Sequence, residues 1–295
     1  MHCLLLLEVH ELGPPRLTSR RPTAPLPGSV RRMFGGTVTR KLFKAYRLLR
    51  NKGIRTFSEI VYDRVHVKVN ILARGRNKVV SLDGCRFPLR ELPDQPMKLE
   101  LLKGAYEQPE RRAALRYIRP EWPVVELGGC FGVVACVTNK LLRNPEAHVV
   151  LEANPLVIPL LTSNRDTNHC SFKIVNRALA YDADTITFRP WLDFWGNSLY
   201  HDGGQPPVTV PATQLCKILR EEGFEKFALI CDIEGQEYEL VMQEPDALGN
   251  AELIILEVHP HVIGEERVQA LMSKLAQRGF KTIDRSGQVV VLSKA

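Results

Sequence analysis

The feature that most constrains the fold is a regular alternation of strand-like and helical runs from Val124 onward. Such alternation is typical of a mainly parallel sheet with helices on both faces. We predict strands at Val124–Leu127, His148–Leu151, Phe172–Val175, Thr185–Phe188, Ala228–Cys231, Leu253–Val258, Lys281–Ile283 and Val289–Leu292. The last two runs are too close for a parallel crossover, which needs a dozen or more residues, so they must form an antiparallel hairpin. The sequence therefore predicts an α/β fold with a mainly parallel, seven-stranded sheet and a C-terminal antiparallel hairpin.

The N-terminal part of this 295-residue chain differs from the α/β region. Residues 1–32 are rich in proline and arginine and contain little that could form a core, so we predict a disordered extension, with Met33 as a candidate translation start. Residues 33–120 combine helical patterns with short β-type runs and predict a small α+β region. We expect residues 121–295 to form the domain that carries the function.

Basic residues are concentrated near the N-terminus. The formal net charge is +7, and nine basic residues lie between Arg31 and Arg55, where no acidic residue occurs. A local patch of this kind is not typical of a nucleic-acid-binding protein. The helical pattern at 40–51 either packs as a solvated cap on the main domain or lies on an anionic membrane surface. We expect a cytoplasmic protein, with peripheral contact at the inner membrane surface through residues 31–55 as an open alternative.

The seven cysteines are an odd, scattered set without a Cys-x-x-Cys pair. Zinc sites need closely spaced thiolate or imidazole ligands, and a secreted disulfide framework favours an even number of cysteines. We therefore expect reduced thiols and no metal site. Nothing in the sequence indicates an oligomeric state.

The first candidate site motif runs from Glu126 through Gly128, Gly129 and Cys130 to Gly132, at the end of an apolar strand. The glycines would let the backbone approach a ligand closely, and helix N–H groups would point at it. The spacing lacks the Gly-x-Gly-x-x-Gly order of pyrophosphate-binding loops. A carboxylate at Glu126 suits a cofactor that carries an amino group and a sulfonium rather than two phosphates. A purely structural glycine turn is the alternative.

The second motif, Glu152-Ala153-Asn154-Pro155, follows the next strand. An acid at this place can accept hydrogen bonds from both hydroxyls of a ribose, so Glu152 supports an adenosine cofactor. We expect Ala153, Asn154 and the later residue Ala178 to belong to the same binding site. A solvated acid near a helix N-terminus is the alternative for Glu152.

The third motif places Asp232 and Glu234 directly after the strand Ala228–Cys231. Open α/β sheets bind ligands at the carboxyl ends of their strands, so we expect both carboxylates over one crevice. There they could contact the donor, orient an acceptor hydroxyl or accept its proton. His259, at the end of the next strand, is a further candidate base because its unperturbed pKa lies near neutrality. The alternatives are a simple turn at Glu234 and a strand cap at His259.

Residues from about 122 to 260 resemble the FkbM family of methyltransferases. The family's motifs are similar to Asp-Val-Gly-Ala-Asn-x-Gly, Glu-Pro-Asn-Pro and Asp-Val-Glu-Gly-x-Glu, and they are matched in order by Glu126–Gly132, Glu152–Pro155 and Asp232–Glu237. Two positions depart from the pattern. Cys130 stands where the family usually has Asn, and Ala153 where it usually has Pro.

This resemblance implies a Rossmann-like class I methyltransferase fold, S-adenosylmethionine as the donor, and transfer to a hydroxyl oxygen of a glycan or small-molecule metabolite. Glu126 would then lie near the methionine moiety and Glu152 at the ribose, while Asp232 and Glu234 would face the reacting centre. The motif Asp/Asn-Pro-Pro-aromatic, common in enzymes that methylate base or amide nitrogens, does not occur after the strand Ala228–Cys231, where Asp232-Ile233-Glu234-Gly235 stands instead. Two alternatives stay open: a nicotinamide-dependent oxidoreductase, and a non-catalytic membrane- or nucleic-acid-binding protein with a degenerate methyltransferase domain.

Overall fold

The computed structural model describes residues 78–92, 95–190 and 205–294. The predicted extension 1–32, the basic segment 31–55 and the boundary near residue 33 lie outside these residues and stay predictions. Within the described ranges, no helix is long and apolar enough to cross a membrane.

A seven-stranded sheet forms the centre of the fold. In chain order the described strands are β1 (Val79–Leu82), β2 (Cys85–Pro88), β3 (Val124–Leu127), β4 (His148–Leu151), β5 (Lys173–Val175), β6 (Ala178–Leu179), β7 (Thr185–Phe188), β8 (Val208–Thr213), β9 (Phe227–Cys231), β10 (Ala251–Glu257), β11 (Phe280–Ser286) and β12 (Val289–Lys294). The order in the large sheet is β11-β12-β10-β9-β3-β4-β5, and β12 alone runs opposite to the other six strands. The predicted Rossmann-like α/β fold with a C-terminal hairpin is confirmed.

Helices cover both faces of this sheet. They are α1 (Gln95–Lys103), α2 (Gln108–Tyr117), α3 (Val133–Asn139), α4 (Ile158–Thr167), α5 (Leu215–Glu222), α6 (Glu237–Gln243), α7 (Pro245–Leu248), α8 (Pro260–Ile263) and α9 (Glu265–Gln277). Strands β3, β4 and β9 are buried along their whole length. Strands buried on both faces need continuous apolar runs, which is why their sequences do not alternate.

One predicted helix is divided in the structure. The stretch 99–116 reads as a single helical pattern, but the chain leaves α1 at Gly104, whose φ of 72° lies in the left-handed region, and enters α2 at Gln108. The buried Arg111 of α2 donates to the carbonyls of Tyr106 and Gly104 and pairs with Asp83. These bonds attach α2 to the chain before it and to the β1–β2 turn.

The predicted strand Thr185–Phe188 exists, but it does not belong to the large sheet. It pairs antiparallel with β8, and together with β6 these strands form a separate three-stranded sheet in the order β6-β8-β7. Thr185 and Thr187 are exposed while Phe188 is buried. Such alternation is typical of a sheet with one solvated face and does not fit the doubly covered central sheet.

Candidate functional site

A cavity of about 400 Å³ lies at the carboxyl ends of β3, β4, β9 and β10. Open α/β sheets bind their ligands at this edge. Most residues that the sequence predicts for the site line this cavity: Gly128, Cys130, Glu152, Ala153, Ala178, Asp232, Glu234 and His259. The other predicted residues, Glu126, Gly129, Gly132 and Asn154, are not part of its wall.

Gly128 allows the loop after β3 to touch the loop after β9. Its φ is +92°, and a Cβ atom built on it would lie 1.7 Å from the carbonyl oxygen of Asp232. No side chain fits at that separation. The contact joins two predicted motifs, more than a hundred residues apart in the chain, into one continuous floor of the cavity.

The N–H groups of the glycine loop are already hydrogen-bonded within the protein. Gly128 and Gly129 donate to the Leu151 carbonyl over 2.9 and 3.0 Å, and Gly132 donates to the Gly129 carbonyl over 2.7 Å. Cys130 N–H donates to Oε2 of Glu152 over 2.8 Å. A loop that binds pyrophosphate needs several N–H groups directed at the ligand. This loop does not offer them.

Glu152 connects the end of β4 to this loop and is 8% exposed. Its Oε2 accepts the Cys130 N–H, and its Oε1 accepts the Asn154 N–H over 2.6 Å. Burial raises the pKa of Glu152 to about 7, although these backbone hydrogen bonds oppose the shift. Each carboxylate oxygen keeps a second lone pair, so Glu152 can also accept from hydroxyls of a ligand in the cavity. Asn154 instead accepts the Leu156 N–H, which shapes the turn behind the wall.

Cys130 occupies a backbone conformation that few side chains tolerate. Its φ is 43°, in the left-handed region, where Asn is among the most favourable non-glycine residues. The hydroxyl of Tyr106 lies 3.5 Å from the Cys130 sulfur, so the thiol is part of the wall between the loop and the segment that joins α1 to α2.

Glu126 lies beneath the cavity floor and not in the wall. Its carboxyl is 2% exposed, accepts the N–H of Ala135 in the first turn of α3, and has Oε2 3.5 Å from Nε2 of His148. Burial raises the pKa of Glu126 well above its usual value, and burial lowers the pKa of His148 to about 3. His148 is therefore neutral near pH 7, and burial also disfavours the charged form of Glu126. The predicted contact of Glu126 with a methionine moiety would require its side chain to leave this buried place.

His259 is surrounded by three carboxylates. Its Nδ1–H donates to Oε1 of Glu237 over 2.9 Å, while Nε2 lies 3.5 Å from Asp232 and 3.4 Å from Glu234. Burial lowers the pKa of His259, but the hydrogen bond and the charges of Glu237 and Glu234 outweigh it, and the net effect raises the pKa. Burial and the nearby charges of Glu234 and Glu107 raise the pKa of Asp232 well above its usual value.

Glu237 anchors this cluster and was not among the predicted site residues. It is fully buried, and its Oε1 accepts the N–H groups of Ile233 and Gly235 as well as the His259 ring. One carboxylate thereby holds both the loop after β9 and the histidine after β10. Its place in the third motif, three residues after Glu234, was the signal that could have identified it.

The remaining acids of the cavity come from elements that carry no motif. The carboxylates that line it are Glu100, Glu107, Glu110, Glu152, Asp232, Glu234 and Glu257, whereas Arg177 and His259 are the only basic side chains among its described lining residues. Glu110 is 5% exposed and hydrogen-bonds to Glu257. The cavity is therefore rich in carboxyl groups and favours a cationic ligand over an anionic one.

The pair Glu257–Glu110 makes stability depend on pH. Burial and the charges of Asp232 and Glu110 raise the pKa of Glu257 from 4.5 to about 9. A carboxyl whose pKa is raised on folding stabilises the protein below pH 4.5, and this contribution is lost as the pH rises toward 9. We expect the melting temperature of Glu257→Gln to fall less between pH 6 and pH 9 than that of the wild type. Each 1 kcal/mol corresponds to roughly 2–4 °C in a domain of this size.

Differential scanning calorimetry across this pH range measures the effect. Glu146→Gln, which alters an exposed carboxyl, is the matched control and should keep the wild-type slope. Equal slopes for Glu257→Gln and the wild type would show that Glu257 is ionised throughout.

Comparison with solved structures finds several methyltransferases at low similarity. A ribosomal protein L11 methylase from Lactobacillus delbrueckii subsp. bulgaricus is 14% identical, with 64% of this chain and 78% of that chain covered and a TM-score of 0.38. An O-methyltransferase from Bacillus cereus, in complex with SAH, is 13% identical over 63% and 80% of the two chains, with a TM-score of 0.38. A putative transferase from Pyrococcus horikoshii is 12% identical over 79% and 83%, with a TM-score of 0.42.

Because all three scores are below 0.5, they carry no conclusion about activity. No protein-family model matches the sequence, and no curated protein matches it. The geometry of the cavity is therefore the basis for the function proposed below.

Proposed function

We propose that this protein is an S-adenosylmethionine-dependent methyltransferase that methylates a hydroxyl oxygen of a glycan or small-molecule metabolite. The observation that carries the proposal is the combination of an acidic cavity with a glycine loop whose N–H groups are occupied. A positively charged adenosine cofactor fits this combination. The two negative phosphates of a dinucleotide would meet carboxylates and find few free N–H donors.

The residues present fit this cofactor. Glu152 is the acceptor for the ribose hydroxyls, because it lines the cavity at the end of β4 and keeps free lone pairs. Cys130, Ala153 and Ala178 provide wall around it, and Gly128 keeps the two loops close enough to form the floor. The cofactor would supply a methyl group on a sulfonium, which is already a good leaving group.

The chain's own contribution is alignment and removal of a proton. Asp232, Glu234 and His259 converge on one part of the cavity, where they can orient an acceptor hydroxyl and take up its proton. Alignment is worth roughly 7–11 kcal/mol, and a general base contributes another ~3–5 kcal/mol. We therefore assign the catalytic roles to these three residues. The larger share of the barrier reduction comes from alignment by the loops after β3 and β9.

The oxidoreductase alternative depends on Glu152, since an acid at this place also binds the ribose of nicotinamide cofactors. The occupied N–H groups of the glycine loop oppose it. We further propose a cytoplasmic location and a membrane contact through residues 31–55. These residues lie outside the part of the chain that the structure describes.

Binding to the purified protein tests the proposal directly. A ligand that binds only the folded state at a hundred times its Kd stabilises that state by about 2.7 kcal/mol. We expect millimolar S-adenosylhomocysteine or S-adenosylmethionine to raise the melting temperature by roughly 5–10 °C. NAD⁺ and NADH, at the same concentration, should leave it unchanged. A rise with NAD⁺ and none with S-adenosylhomocysteine would refute the proposal.

A further inference from the structure

We propose that Asp232, Glu237 and His259 form a binding site for a divalent metal cation at the floor of the cavity. One ligand atom from each of these residues lies within 4.8 Å of the other two. A cation bound by both Glu237 and His259 would replace the hydrogen bond between them, since a nitrogen that coordinates a metal carries no proton. The residues come from two neighbouring strand ends, after β9 and after β10. The spacing of ligands along the chain does not indicate this site, which is why the sequence predicted none.

Two buried oxygen atoms in this cluster lack hydrogen-bond partners. Oε2 of Glu237 and Oδ1 of Asp232 are inaccessible to solvent, and no described residue donates a hydrogen bond to either. Glu237 is 0% exposed. A buried carboxylate oxygen without a partner is costly, and coordination of a cation is one way to satisfy it.

The histidine alone does not compensate the negative charge around it. Its Nε2 is 3.5 Å from Asp232 and 3.4 Å from Glu234, longer than the 2.7–2.9 Å typical of charge-assisted hydrogen bonds. An imidazolium carries one positive charge, whereas three carboxyl groups surround it, those of Asp232, Glu234 and Glu237. A divalent cation would supply the missing charge.

The chemistry of the ligands restricts the metal. Two carboxylates and one imidazole suit a first-row divalent cation such as Mn²⁺, Fe²⁺ or Zn²⁺. They do not suit a soft cation that prefers thiolate ligands. Asp232 and His259 line the cavity, whereas Glu237 lies behind them. The remaining coordination positions would therefore face the space where an acceptor is expected.

The role of the cation rests on the proposed methyl transfer, although the binding site itself does not. A cation at this place would attract an acceptor oxygen and favour loss of its proton. Since Asp232 and His259 would then be ligands, Glu234 would be left as the carboxylate that takes up the proton. Acceptors with hydroxyl groups that can reach a metal are the substrate class that fits.

Titration of the metal-free protein with Mn²⁺, followed by electron paramagnetic resonance, tests the site. We expect saturable binding of one Mn²⁺ per chain in the micromolar range or tighter. The nuclear spin of an imidazole nitrogen should modulate the electron spin echo of the bound Mn²⁺. The modulation should disappear in His259→Gln. Asp232→Asn should weaken Mn²⁺ binding by about tenfold or more. Glu237→Gln should also weaken Mn²⁺ binding, but it changes the hydrogen bonds that Glu237 makes to the loop after β9. Asp232→Asn is therefore the decisive variant, because Oδ1 of Asp232 accepts no hydrogen bond from a described residue.

Glu100→Gln is the matched control, because it changes another carboxyl that lines the same cavity and is not a proposed ligand. It should weaken Mn²⁺ binding by less than about fivefold. Equal losses in Glu100→Gln and Asp232→Asn would show diffuse attraction and overturn the site, as would the absence of Mn²⁺ binding in the wild type. Calorimetry with S-adenosylhomocysteine on the same samples tests the methyltransferase proposal separately, so failure of one is distinguishable from failure of the other.

Discussion

Gly128→Ala is expected to lower the free energy of unfolding by more than about 3 kcal/mol, or to prevent folding. The added Cβ would lie 1.7 Å from the Asp232 carbonyl oxygen, and the φ of +92° is itself unfavourable for alanine. Both loops would have to move apart, and they follow fully buried strands that cannot easily shift. Urea unfolding of the variant and the wild type measures the loss.

Gly223→Ala separates the steric part of this effect from the backbone part. Gly223 also has a positive φ, +70°, but no atom lies within 4 Å of the Cβ position. Its replacement should cost only about 1–2 kcal/mol, the usual penalty for a left-handed alanine. Similar losses at the two glycines would contradict the close contact between the loops.

Glu152→Ala is expected to weaken the binding of S-adenosylhomocysteine by about 2–4 kcal/mol, since it removes a charged acceptor for the ribose hydroxyls. Isothermal titration calorimetry on the folded variant measures this change. Unchanged affinity would mean that Glu152 only holds the loop through Cys130 and Asn154. Glu110→Gln is the control, because the Glu110 carboxyl lines the same cavity but is not assigned to the ribose. It should bind S-adenosylhomocysteine with nearly the wild-type affinity.

The pH dependence of the same binding gives a second measurement. Because the pKa of Glu152 is raised to about 7, the unliganded side chain is partly protonated near neutrality. Ribose hydroxyls donate to the ionised form, so affinity should rise between pH 6 and pH 8. This rise should be absent in Glu152→Gln, which keeps the shape but does not titrate in this range.

The sequence was sufficient to predict the α/β architecture because each strand of the central sheet can be recognised from its own local residue pattern. Buried parallel strands require continuous apolar runs, and the strand-end motifs mark the edge where they finish. The short segment between β11 and β12 permitted only a hairpin. For the same reason Asp232, Glu234 and Glu152 could be placed at the cavity: a residue directly after a buried strand has to emerge at the sheet's edge.

Local pattern could not separate strands of different sheets. Thr185–Phe188 reads as a strand, and it is one, but its partner is Val208–Thr213 rather than the central sheet. Which sheet a strand joins depends on pairing between segments far apart in the chain. For the same reason the sequence did not predict the break between α1 and α2 at Gly104, where Arg111 donates a hydrogen bond to the Gly104 carbonyl.

The sequence by itself determined the positions of the central strands along the chain, the C-terminal hairpin, the glycine loop and the acids at the strand ends, since these follow from local burial and chain connectivity. Only the tertiary structure decided which acids share an environment. It brought Glu110 against Glu257 and Glu237 against His259, and it placed Glu126 beneath the floor beside His148. The physical reason is that charge, burial and hydrogen bonding act over a few ångströms in space, and these residues become neighbours only when the sheet and α2 have packed together.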